Sequence, residues 1–555
     1  MLAVQQRNPV SVALFLLLAL IIAGAVALVP APHLYVYWLA VGGAALLALY
    51  VVKGSLLTAV LVWIFTLICL HEEFWRMPVP FFFAVTVPRL LIVVLVLLFV
   101  LMLALGRLRL NIGWPISGAM VALAVYFTAS AIISGFETRS PVTVHYRLIG
   151  GYLFPFTVFV LLLHAVRHER HLRQIAVFFF VISAYLTFTG WMEYFRFWPL
   201  VWPRFIADPS VGIHWTRVRG PFVMSAAMGL ALVYCYFNNL VLARQLRGAG
   251  RWIIYALNLL VLPVLFWTKT RSVWVAFLLC CAVWFAYSRR RTSRAVWVSF
   301  LITLSVLVGI FNLENFLSDR REVGGFTDLE PVYLRLGLAL ISKNMFLDRP
   351  LFGVGFGHFR DFAPQYAHDP SSPYYAFATT ALEHNNLLSI LAETGLVGVV
   401  LYLALIVMIL RLSVRLFRKI PQTAPGFINR DLIVLYWILV LAYLIDGTLR
   451  ETSDNPFANS LFFGLSAVVV ALDTLLGRAP LERFAVPAGR PPAPTLPVPT
   501  APHGPPPRTS RPVPPTRSGS STPRPPSPRP VRAADRVRDM SASRPSPPSG
   551  KGGRQ

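Results

Sequence analysis

The sequence predicts an all-α, polytopic transmembrane helical bundle of about 14 spans, with a large extracytoplasmic loop and a disordered C-terminal tail. Composition is the first reason: 56% of the 555 residues are apolar and only 13% are charged, with a mean hydropathy of +0.64. Soluble domains carry about a quarter charged residues. Periodic length is the second. Crossing a hydrocarbon core takes roughly 20 apolar residues in a helix, and runs of that kind recur from residue 10 to residue 476. The third is the lack of alternation. Lipid offers the backbone no hydrogen bonds, so each span must be a helix or part of a closed barrel. Barrel strands would alternate apolar with polar, and Leu90–Leu105 does not.

Taken in order, the expected spans are 10–29, 34–51, 55–70, 89–106, 116–135, 149–166, 174–193, 221–241, 252–267, 273–287, 295–313, 387–410, 431–446 and 457–476. The first follows Arg7 and resembles a signal peptide, but Val10–Val29 is long for a signal core and reads better as a retained anchor. Basic residues then sort by loop. Arg7, Lys53, Arg107, Arg109, Arg167, Arg170, Arg173, Arg244, Arg247, Arg251, Arg289–Arg291, Arg294 and the group from Arg411 to Arg430 all fall on one side if the spans alternate. By the positive-inside rule that side is the cytoplasm, which puts both termini there. This sorting also accounts for the formal net charge of +26 without a nucleic-acid partner, because the charge is spread between spans rather than gathered on one soluble face.

Residues 1–313 therefore form about 11 spans, 314–386 the large extracytoplasmic loop with short helices, 387–476 about three further spans, and 477–555 the tail. Half of the 44 prolines lie in that tail, which has too little apolar surface to fold and reads as cytoplasmic and disordered, either solvated or clinging to anionic headgroups. The other outward segments are 71–88, 136–148 and 194–220. Within the large loop, Pro331–Phe346 predicts an amphipathic helix. Gly353–Gly357 predicts a tight turn that docks the loop on the membrane domain; no strand precedes it and no Lys-Ser/Thr follows, as a nucleotide loop requires. Cys69, Cys235, Cys280 and Cys281 lie inside apolar spans without metal-ligand spacing and are expected in the core.

Some outward residues break the charge pattern. Arg271 lies in Thr268-Lys-Thr-Arg271, between two spans of only ~23 Å at 1.5 Å per residue. A membrane-bounded arginine needs an anionic partner, either a carboxylate elsewhere in the fold or an anionic substrate. Arg217 and Arg219 open span 221–241, where a helix N-terminus and guanidinium groups suit phosphate; a headgroup anchor is the competing reading. His384 stands where the large loop re-enters the membrane, at a helix's positive end. It fits a capping or interface residue, or an imidazole that takes a proton from a hydroxyl. Glu393, inside its span, requires a partner. Asp446, Arg450, Glu451 and Asp454 form a charged cluster in the last outward turn. The outward loops show no paired acidic motif for a divalent metal.

Three of these pieces, in this order, resemble the O-antigen ligase and O-antigen polymerase family of bacterial polytopic membrane glycosyltransferases. They are Arg219-Gly-Pro-Phe222, Thr270-Arg-Ser-Val-Trp274 and the block from Pro331 to Gly398, with Arg349-Pro-Leu-Phe-Gly-Val-Gly-Phe-Gly-His-Phe359, His384-Asn-Asn and Glu393-Thr-Gly395 its most specific part. The resemblance covers roughly residues 200–410. Many members carry a smaller residue where Ser-Val-Trp274 follows Arg271 here, which bears on the rotation of that helix. The resemblance implies a metal-independent, cofactor-free enzyme of the bacterial inner membrane, with its active site on the extracytoplasmic face. It would move a glycan from an undecaprenyl diphosphate carrier to an acceptor hydroxyl on a glycan, glycolipid or protein, in surface polysaccharide biosynthesis. It implies His384 as the residue that activates the acceptor, Arg219 and Arg271 as diphosphate ligands with Arg217 beside them, and Asn385 and Glu393 in support. The competing class is a transporter or flippase of polysaccharide or lipid-linked glycan, which would show midplane charges, interrupted helices and repeated halves.

Overall fold

A computed structural model describes residues 55–287 and 330–478, apart from short stretches at 72–73, 75, 78–83, 112, 141, 369–373, 376–377, 379–382, 422–423, 425, 451 and 454. The spans expected at 10–29, 34–51 and 295–313, and the tail, lie outside the described residues. Every other expected span coincides with a helix: α1 Leu56–Cys69, α2 Val87–Ala104, α3 Ile116–Ser134, α4 Tyr146–Ala165, α5 Glu169–Tyr194, α6 Ser225–Gln245, α7 Ala249–Trp267, α8 Arg271–Tyr287, α11 Asn386–Lys419, α12 Arg430–Leu449 and α13 Pro456–Arg478. Among the described residues nine of these are long and apolar enough to cross a membrane, while α1 and α8 are shorter. Between α8 and α11 stand α9, Glu330–Asp348, where the amphipathic helix was expected, and α10, Phe359–Tyr366. A two-residue antiparallel ribbon, Arg76–Met77 with Val85–Thr86, leads into α2.

The bundle is built around α6, which is buried along almost its whole length against α5, α7, α8 and α12. Its Asn238 and Asn239 are tolerated there because each is bonded. Asn238 Nδ2 donates to Ala176 O (2.9 Å), and Asn239 Nδ2 to Ser183 Oγ (3.0 Å) and Asn258 Oδ1 (2.9 Å). Buried amides of this kind join helices where lipid supplies no hydrophobic drive. The four cysteines are buried and free, as expected. Large apolar side chains on the outside, such as Ile133, Val125 and Trp252, are more than half exposed, as a lipid-facing surface requires. This is a helical membrane protein.

Two elements depart from plain span geometry. The first turns of α4, Tyr146–Leu153, are wound as a π-helix. There Gly151 comes so close to the last inter-helix turn that a Cβ would stand 2.4 Å from Ser453 O, and Gly151 O accepts from Asn459 Nδ2 (2.6 Å). The second departure is in α11, which breaks at Gly395 (φ 63°, ψ −162°) instead of running straight. Only glycine populates that region readily.

Candidate functional site

The end of the bundle that carries the starts of α2, α4, α6, α8, α11 and α13 gathers the residues singled out in the sequence. His384 is half-buried and stands just before Asn385, which caps α11 by accepting from the N–H groups of Leu387 (3.0 Å) and Leu388 (3.1 Å). Asn385 is thus a capping residue, and its Nδ2 also donates to Thr448 O at the end of α12 (3.3 Å). The main-chain N–H of His384 donates to Glu383 Oε1 (2.9 Å), whose other oxygen accepts from Ser342 of α9 (2.6 Å). The large-loop helix and the histidine are therefore held to one carboxylate.

A chain of contacts runs from there to Arg271. Arg450, two residues past Thr448, is ion-paired with Asp446 (2.7 and 2.6 Å), and its Nη1 lies 2.8 Å from Met224 Sδ. Ser225, next in sequence and first in α6, shares a hydrogen bond of 2.9 Å with Thr270, and Arg271 follows as the first residue of α8, half-buried. The strip Arg217–Arg219 joins the same turn, because Val218 N–H donates to Trp267 O (3.1 Å). Asp446 and Arg450 form the salt-bridged part of the last turn that the sequence suggested; Glu451 and Asp454 lie outside the described residues.

Arg219 stands ahead of α6, as the sequence predicts, but within the protein interior. It is fully buried, with its guanidinium donating to Val211 O (2.5 Å), Ile206 O (3.3 Å) and Asp208 O (3.4 Å) and stacked 4.8 Å over Trp215. Its own N–H and that of Gly220 are received by the Glu193 carboxylate of α5 (3.0 and 2.8 Å). Nη1 and Nη2 are directed into the 206–215 loop, which Arg219 thereby organises, while Nε lies 3.8 Å from Glu193 Oε1. Lys269, which the sequence offered only as a neighbour of Arg271, lies in the same turn as Arg271. It is half-buried in the α7–α8 turn at φ 45°, and its ammonium has no hydrogen-bond or ion-pair partner among the described residues. Burial, and then the nearby charge of Arg217, hold its pKa below the ordinary lysine value. An anion arriving there would favour the charged ammonium and so oppose that shift.

Glu393 finds the partner its position demanded. Arg147, in the π-helical start of α4, clamps it with Nη1 at 2.5 Å and Nη2 at 3.0 Å, and both groups are buried. Arg147 also donates to Ser453 Oγ (2.8 Å) and Ser389 Oγ (3.2 Å), while Glu393 Oε1 accepts from Phe359 N–H (3.2 Å). One ion pair thus ties α4, α11, α10 and the α12–α13 turn together. Sequence spacing gives no sign of it, since the partners are 246 residues apart.

The glycine-rich turn docks on the broken helix. Val354 N–H donates to Ala392 O (3.0 Å), Gly355 N–H to Glu393 O (2.8 Å), and in return Pro350 O accepts from Leu396 N–H (2.8 Å) and Leu351 O from Val397 N–H (3.3 Å). The loop thereby supplies hydrogen bonds that a helix kinked at Gly395 would leave unmade. A Cβ on Gly353 would meet Glu393 C at 2.4 Å, so the two backbones need glycine to approach. His358 closes the turn, bonded to Asp361 (2.8 Å) and Gly135 O (3.1 Å).

Beneath this end lies a cavity of about 110 Å³, walled mainly by apolar groups including Trp63, Phe154, Phe222 and Phe457, with His71 and Arg89 on its lining. Burial, and next the charge of Arg89, push His71 down to about 4, so the ring is neutral near pH 7. Arg89 also lies 5.0 Å over the Tyr146 ring.

No curated protein matches the chain. Residues 256–403, which run from α7 through the α7–α8 turn, the large loop and His384 to the broken helix, match the family model described as O-antigen ligase. Over that stretch, which carries most of this site, the chain is similar to the O-antigen ligase family.

Proposed function

We propose that the protein transfers a glycan from an undecaprenyl diphosphate carrier to an acceptor hydroxyl on the outer face of a bacterial inner membrane, as a ligase or polymerase of surface polysaccharide. The match of residues 256–403 to the O-antigen ligase family model supports a glycosyltransferase-like enzyme acting on lipid-linked glycan. The observation that carries the finer reading is that the segment bearing His384 and the turn bearing Lys269 and Arg271 lie at one bundle end, joined by the Asn385–Thr448, Arg450–Met224 and Ser225–Thr270 contacts.

In this reading the diphosphate rests against Lys269 and Arg271, with Arg217 adding positive charge and Arg219 holding the neighbouring loop. The first isoprene units of the carrier occupy the apolar cavity below. His384 accepts the acceptor's hydroxyl proton as that oxygen attacks the anomeric carbon. The bond from that carbon to the diphosphate oxygen breaks, and the electron pair leaves on the lipid diphosphate. Cationic groups fixed in a poorly hydrated turn stabilise that growing charge more than they stabilise the bound substrate, which is what lowers a barrier. The docked glycine turn and α9 position the acceptor side.

The test is reconstitution in proteoliposomes with a lipid-linked oligosaccharide and candidate acceptors. Wild type should form product, whereas Arg271→Ala and His384→Ala should insert normally and transfer at a hundredth of the rate or less. Wild-type rates in both variants would overturn the assignment. Whichever acceptor is used, glycolipid, carrier-linked chain or protein, names the enzyme.

A further inference from the structure

The opposite end of the bundle holds a second site with different chemistry. A cavity of about 330 Å³ opens where α2, α4 and α13 end, and its lining includes Arg107, Arg109, Asn111, His164, Arg167 and Thr474. The three arginines are exposed, and among the described residues none of them has an ion-pair partner. The carboxylates nearest in sequence, Glu169 and Asp473, are not in the lining, and Glu169 receives Phe427 N–H (2.5 Å). The wall is fixed rather than incidental. His164 Nε2 accepts from Asn111 N–H (2.8 Å) and its Nδ1 lies 2.7 Å from Val160 O, which defines a neutral ring pinning the 107–111 segment to α4. Arg167 Nε donates to His164 O (2.9 Å), leaving its terminal nitrogens directed elsewhere.

Helix C-termini present partial negative charge, and three meet here, so without the arginines the cavity would repel anions. Three guanidinium groups reverse that sign and supply forked donors suited to phosphate oxygens. Beside them Leu110 is 59% exposed and Trp114 77% exposed, an apolar and aromatic fringe of the kind that sits at a membrane boundary. α2 and α4 place this cavity ~27 Å from the candidate catalytic end, from 18 residues at 1.5 Å each. We propose that it is a specific binding site for a phosphate-bearing anion, with an anionic phospholipid headgroup as the occupant that the apolar fringe favours. On the orientation proposed above, it faces the cytoplasmic leaflet, where such lipids attract basic segments.

The experiment uses the full chain in nanodiscs of phosphatidylcholine with increasing phosphatidylglycerol or cardiolipin, and native mass spectrometry to count retained lipid. Wild type should retain one anionic lipid saturably. Arg107→Gln with Arg109→Gln should bind it at least about tenfold more weakly. Arg170→Gln with Arg247→Gln, which removes equal charge from the same end but outside the cavity, should leave binding unchanged. Displacement of the lipid by millimolar inorganic phosphate would support the site and assign it to free phosphate; retention would assign it to the headgroup. Lipid retention by the Arg107/Arg109 variant equal to wild type, or equal loss in the control, would overturn the proposal. Melting temperature of each variant in phosphatidylcholine alone separates misfolding from lost binding.

Discussion

Replacing Arg147 by methionine tests how the large loop is held to the membrane domain. The substitution keeps side-chain bulk against Phe356 but leaves the Glu393 carboxylate, which is 1% exposed, without its cation. Removing one member of a buried, bidentate pair costs about 3–5 kcal/mol, because the remaining charge has lost its partner. Arg147→Met with Glu393→Leu removes both charges. What remains is the unpaired Phe359 N–H, a loss of about 1–3 kcal/mol, together with Ser389 and Ser453 hydroxyls that can turn to other acceptors. The double variant should therefore be more stable than Arg147→Met alone by roughly 2 kcal/mol, a coupling that a double-mutant cycle isolates. Reversible unfolding in mixed micelles gives the free energies, and limited proteolysis of the 349–357 segment reports whether the turn has lifted off. A cost below about 1 kcal/mol for Arg147→Met, or single costs that simply add, would refute the view that this pair anchors the loop.

Three further outcomes follow from the geometry. Gly395→Ala should destabilise by about 2–3 kcal/mol and speed cleavage in the 349–357 segment, since its Cβ would stand 2.4 Å from Leu351 C and O and two loop-to-helix hydrogen bonds would be lost; cleavage as slow as wild type would contradict the docked-turn reading. His71 binds a proton near pH 4 when folded but near its ordinary 6.5 when unfolded. The unfolded chain therefore holds more protons between those values, so stability is complete above pH 6.5 and falls as pH drops towards 4, by up to about 3 kcal/mol. His71→Gln should flatten that part of a melting-temperature profile, and an unchanged slope would show that another group is responsible. Lys269→Gln should raise KM for the lipid-linked donor about tenfold or more with the fold intact, whereas an unchanged KM would remove Lys269 from the diphosphate site.

Hydropathy makes the helices legible because span length is set by the bilayer, a constraint that acts locally on each segment. Expected spans 55–70 and 457–476 thus meet α1 and α13 within a few residues. The helix α9 and the docking role of Gly353–Gly357 are also local, the first burying Leu338, Ile341, Ser342 and Met345 along one stripe without a strongly amphipathic sequence, the second carried by glycines that must admit a close backbone. What the sequence conceals is pairing. Glu393 announces that it needs a cation, but nothing along the chain says that Arg147 provides it. Arg219 looks like an anion ligand because a guanidinium beside a helix start suits phosphate; only the folded loop reveals that Val211, Ile206 and Asp208 already receive it. The same applies to the helix break. Gly395 is one more glycine in a hydrophobic run until Pro350 and Leu351 are found accepting the N–H groups beyond it.

The most direct test separates binding from turnover in His384→Ala, measured on purified protein with a lipid-linked oligosaccharide. The account predicts donor affinity within about twofold of wild type, because the cationic turn is untouched, and single-turnover transfer slowed by 10²–10⁴-fold from loss of the proton acceptor. Single-turnover transfer at the wild-type rate would contradict it, since the histidine would then have no part in the chemistry.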